Sequence, residues 1–84
     1  MTERYRGKMA ALVCNEFDHR IDHCKHNDID YVNQEWMFAE FTSEIYGELL
    51  NRIVVKGMSP DDALKFDEKT LDRIFEEAYI CARD

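Results

Sequence analysis

Hydrophobic positions recur at helical intervals in three stretches of this chain, and the middle stretch is apolar almost all the way round. Between Tyr31 and Lys56 it carries Val32, Trp36, Met37, Phe38, Phe41, Ile45, Tyr46, Leu49, Leu50, Ile53, Val54 and Val55. A helix with so wide an apolar arc must be covered from more than one side. The pattern therefore predicts a central helix over about 30–56, held between two other helices or between two subunits.

The first helix is expected over about 4–25. At about 100° per residue, Met9, Ala10, Val13, Cys14, Phe17, Ile21 and Cys24 share one arc, with Asn15, Asp18, His19, Asp22, His23 and His26 opposite. Gly7 weakens the first turns by about 1 kcal/mol relative to Ala, which predicts a frayed start. The run His26-Asn27-Asp28-Ile29-Asp30 is the first break, and Asp28 or Asp30 is the expected cap of the central helix. Gly57 fits the left-handed position that ends many helices. Gly47, inside the central helix, suggests close approach of a neighbour or a mild kink.

Ser59-Pro60-Asp61-Asp62 is the strongest local signal. Ser caps, Pro takes the first helical position, and two acids meet the positive end of the helix dipole. The third helix, over about 60–83, then places Leu64, Leu71, Ile74, Phe75, Ala78, Cys81 and Ala82 on one face. An unbroken helix would put Asp67 on that face, so a break near 66–67 is expected, with Asp67 capping the second segment. The reading is a single all-α domain, 1–84, a three-helix arrangement with short connections, or a helical dimer through the middle helix.

Composition narrows this picture. The chain has 84 residues, of which 45% are hydrophobic and 35% charged, with only 3 Gly and 1 Pro. A sheet protein of this length would need more turn residues. The net charge of −7 disfavours direct contact with nucleic acid or anionic membrane, and either suits basic protein surfaces or simply keeps a small protein in solution. Three Cys argue against a disulfide framework. Cys14 and Cys24 lie roughly 15 Å apart along one helix, beyond disulfide reach. Reduced, mostly buried thiols are expected, hence a cytoplasmic protein. The start of the chain has no apolar run of the signal-peptide or membrane-spanning kind.

Candidate chemistry is sparse. His19, His23 and His26 form a stripe at i, i+4, i+7, a spacing at which imidazoles can share zinc or another divalent transition metal. Three ligands on one straight helix do not complete a tetrahedral site, and a solvated polar face is the plain alternative. Glu40, Glu44 and Glu48 make an acidic ladder on the central helix. It lacks the i, i+3 acidic pairs of magnesium-dependent pyrophosphohydrolases, and suits a partner's Lys and Arg or simply water. Asp72 and Glu76 extend the acidic surface, but Lys65, Lys69 and Arg73 interrupt it, which weakens a reading as a nucleic-acid mimic. Trp36, beside a polar rim, has the composition of a contact hot spot. If an aromatic is exposed, Trp36 or Tyr5 is expected. No phosphate loop or nucleophile–base pair stands out; Ser59 is explained as a cap and Cys24 and His23 point apart.

These readings converge on a small, acidic, non-enzymatic binding protein that regulates or inhibits a larger protein with a basic or nucleic-acid-handling surface. The expected contact residues are Glu40, Glu44, Glu48, Trp36, Asp72 and Glu76. Phage and mobile-element inhibitors, anti-CRISPR proteins among them, are often of this general kind, an analogy of class only. A metal-binding module on the His stripe and a structural homodimer are the alternatives.

Overall fold

The computed structural model describes residues 2–24 and 29–83, which contain helices and no strand. Helix α1 spans Glu3–Asp22. It begins firmly despite Gly7, because the Thr2 side chain accepts a hydrogen bond from the Tyr5 N–H at 3.2 Å. The Tyr5 hydroxyl donates to the Pro60 carbonyl at 3.0 Å and Tyr5 is buried, so of the two aromatics named as candidates for exposure it is Trp36 that is exposed. The buried side of α1 is centred on Val13, Phe17 and Arg20. Cys14 and Ala10 fall outside it and are exposed. Cys81 is exposed as well and Cys24 is half-buried, which corrects the expectation of buried thiols. On α1 the inward direction runs through Val13, Phe17 and Arg20, and Cys14 lies about 100° round the helix from Val13.

A short 3-10 turn, Ile29–Tyr31, leads into α2, Gln34–Leu50. The cap of α2 is Asn33, whose Oδ1 accepts from the Trp36 N–H at 3.0 Å. The central helix thus starts later than the expected 30. Asp28 and the Asp30 side chain, the expected caps, lie outside the described residues. Past Leu50 the helix widens into a π turn, Asn51–Val55, and Gly57 at φ 69° ends it. Arg52, inside the wide turn, donates to the carbonyls of Ala63 and Lys65, each at 3.1 Å. It thereby satisfies backbone acceptors at the end of the next short helix.

The third segment divides as its sequence indicated. Helix α3 is Pro60–Ala63, capped by Ser59, which accepts from the Asp62 N–H at 3.2 Å. Helix α4 is Glu68–Arg83. Asp67 Oδ1 accepts from the Thr70 N–H at 3.0 Å, capping α4.

Met37, Phe41, Ile45 and Leu49 run down one side of α2 and are fully enclosed. They meet Leu71, Ile74, Phe75, Ala78, Tyr79 and Ala82 of α4, while Val13 and Phe17 of α1 close the third side. The Phe17 ring lies 5.5 Å from Phe41 and 5.9 Å from Phe75, centroid to centroid. Such tilted aromatic pairs contribute about 0.5–1.5 kcal/mol each beyond area burial. The central helix therefore packs between α1 and α4, but only on its inner side. Its outer side, with Trp36, Tyr46, Leu50 and Val54, is open. A Cβ on Gly47 would meet nothing within 4 Å, so no neighbour within the chain requires that glycine. No helix is long and apolar enough to cross a membrane among the described residues.

Candidate protein-binding surfaces

Four of the expected contact residues divide between two grooves on opposite sides of α4, while Trp36 and Glu40 line neither. Glu44 and Glu48 of α2 face Arg73, Ile74 and Glu77 of α4 around a cavity of about 140 Å³. The cations there are already engaged. Arg52 Nε donates to Glu48 Oε1 at 3.1 Å, and Arg73 Nη1 to Glu77 Oε1 at 3.3 Å. Glu44 has one oxygen, Oε2, buried with no hydrogen-bond partner among the described residues. Burial, and then the hydrogen bond and charge of Glu77, push its pKa up to about 7; Arg73 opposes this and Glu40 adds to it. Near neutral pH Glu44 therefore holds a proton in part of the molecules. At the upper end of the ladder, the half-exposed Trp36 donates its indole N–H to Glu40 Oε1 at 3.3 Å.

Asp72 and Glu76 belong to the other groove, between α1 and α4. A cavity of about 290 Å³ there is lined by His19, Arg20, His23, Cys24, Glu68, Asp72, Phe75 and Glu76. Its centre is Arg20, only 7% exposed. The guanidinium donates to Asp72 Oδ1 at 3.0 Å, to Glu68 Oε2 at 2.8 Å and to Glu16. Burial disfavours the charge, but the hydrogen bonds the guanidinium donates to Glu16 and Asp72 and the charge of the nearby Glu68 outweigh this and hold the Arg20 pKa above its ordinary value. Asp72, expected to meet a partner, thus has an internal role. The sequence signal for Arg20 was its i, i+4 spacing from Glu16, which does not reveal that a surface-type residue faces inward.

His19 and His23 are exposed on the rim of this groove, with ring centroids 4.5 Å apart. His23 Nδ1 lies 2.9 Å from the His19 carbonyl, so one imidazole nitrogen is occupied by the backbone. His26 lies outside the described residues. Among those described, no group of three or more His, Cys, Asp or Glu is placed to hold a metal ion.

A third surface was not anticipated. Thr2, Tyr5, Leu50, Ile53 and Pro60 line an apolar groove of about 360 Å³ where the α2 end meets the start of α1. It continues onto the open side of α2. There Trp36, Ala39, Ser43, Tyr46, Gly47, Leu50 and Val54 are all exposed, and none is charged. Tyr31, 91% exposed, precedes this row.

Models of protein families, curated proteins and solved structures give no match to this chain.

Proposed function

We propose that the chain is a non-enzymatic binding protein that regulates or inhibits a larger protein through that protein's basic or nucleic-acid-handling surface. The supporting observation is that three arginines are paired within the chain while acid remains in excess. Arg20, Arg52 and Arg73 are each held by carboxylates of the same chain. The chain's net charge of −7 therefore rests on its remaining acids, and Glu40 stands on α2 at the upper end of the groove of Glu44 and Glu48. A compact acidic rod of this kind attracts lysine- and arginine-lined surfaces at long range and accelerates docking on them. Inhibitors carried by phage or mobile elements are one class that works in this way.

The test uses the whole chain as bait in a host lysate, with binding of the captured protein then measured from about 50 to about 500 mM salt. Affinity should fall steeply with salt and drop further with Glu40→Lys combined with Glu48→Lys. A partner that binds equally well at both salt limits and to both proteins would contradict the reading.

A further inference from the structure

We propose that the open side of α2 is a homodimer interface, in which two copies pair antiparallel about a twofold axis. Three observations single out a second copy as the occupant. The first is periodicity. Trp36, Ala39, Ser43, Tyr46 and Leu50 follow alternating steps of three and four, the spacing of a coiled-coil seam. The inner row of α2 is a separate row, so the helix has one seam for its own core and another facing out. This outer seam carries no charge in a chain with 35% charged residues.

The second observation is size. The small residues, Ala39 and Ser43, precede the large ones, Tyr46 and Leu50. An antiparallel pair that sets Ser43 against Tyr46 also sets Ala39 against Leu50, in both directions at once. Tyr46 and Leu50 then each meet a small side chain, which is the self-complementarity a twofold interface needs. In the same register Trp36 meets the Ile53–Val54 end of the second copy, at the mouth of the groove formed by Thr2, Tyr5, Leu50, Ile53 and Pro60. A parallel pair would set large against large and leave Ala39 and Ser43 opposite themselves.

The third observation is charge. Glu35 and Lys56, both exposed, lie at opposite ends of the seam. Antiparallel pairing brings each within about one turn of the other's counterpart, at both ends of the interface. The seam also keeps the acidic groove of Glu44, Glu48 and Glu77 clear of the contact, so a dimer would present two such grooves. Overall repulsion between two chains of −7 is a long-range effect that salt screens. Dimerisation should therefore strengthen as salt rises, opposite to the binding of a basic partner, so the two proposals fail separately.

Sedimentation of the whole chain in reductant, across the micromolar range, should show mass rising from 10.0 kDa towards about 20 kDa. Ser43→Arg, at an exposed position, should weaken the dimer by about tenfold or more by burying a charge in the seam. Glu35→Lys should weaken it, and adding Lys56→Glu should restore it. Orientation is read by cross-linking in a background lacking Cys14, Cys24 and Cys81, checked for helicity. Mixed Ala39→Cys and Leu50→Cys proteins should form the 39–50 disulfide in preference to 39–39 or 50–50. A monomer throughout the range, an unchanged dimer with Ser43→Arg, or dominant 39–39 linkage would each overturn the proposal.

Discussion

Arg20 Nε donates to Asp72 Oδ1 at 3.0 Å, fastening the last turns of α1 to the start of α4. The two members are unequal, because the guanidinium is buried while Asp72 is largely exposed. Losing the arginine therefore lets Asp72 and Glu68 return to water, and the main cost is the space left by the side chain. Arg20→Ala should lower stability by about 2 kcal/mol and Arg20→Met by less than about 1 kcal/mol, measured by urea unfolding. Equal losses in the two variants would mean that the ionic contacts, rather than the packed stem, carry the site.

Glu44 makes stability depend on pH. Its folded pKa of about 7 lies above the ordinary 4.5, so the folded state keeps a proton that the unfolded state gives up. Its contribution is fully present below about pH 4.5 and is lost as pH rises to about 7. Glu44→Gln should abolish that slope and raise stability at pH 8 by about 1 kcal/mol, a value reduced for the partial exposure of the site. Denaturant midpoints at pH 5 and pH 8 for the two proteins check this. A wild-type midpoint that climbs over this interval, with the slope retained in Glu44→Gln, would place the titration elsewhere.

Neighbouring residues on α2 should behave oppositely. Ile45 is fully enclosed and Tyr46 is open. Ile45→Ala should cost about 2–4 kcal/mol of folding stability, whereas Tyr46→Ala should stay within about 0.5 kcal/mol for the monomer. Thermal melts at concentrations low enough to hold the protein monomeric make the comparison.

The start of α2 depends on Asn33. Asn33→Ala should cost about 1 kcal/mol, and Asn33→Gly only a few tenths, because glycine also tolerates the extended cap conformation. Amide exchange localised to residues 34–37 would separate loss of the cap from general destabilisation.

Much of the fold could be read from the chain because its signals were local. Ser59-Pro60 and Asp67 state their helix starts through side-chain capping, and the structure contains both. Gly57 states its end. What escaped the sequence was burial that depends on which helix lies where. The wide apolar arc of the central helix read as coverage from more than one side, which α1 and α4 supply, yet one flank of α2 is open. The α1 arc predicted buried Cys14, because a helical wheel cannot foresee that Arg20 occupies the inward position. Of the expected contact residues, Glu44 and Glu48 do come together. Asp72 is exposed as expected, but its pairing with Arg20 spans 52 positions of the chain, where no local pattern reaches.

The division of α2 into an enclosed row and an open row also separates two kinds of evolutionary freedom. Met37, Phe41, Ile45 and Leu49 are bound to the shape of one interior, and change there is punished by unfolding. Ala39, Ser43, Tyr46 and Leu50 can be rewritten without that penalty, so affinity and choice of companion can drift along one edge of a helix whose other edge stays fixed.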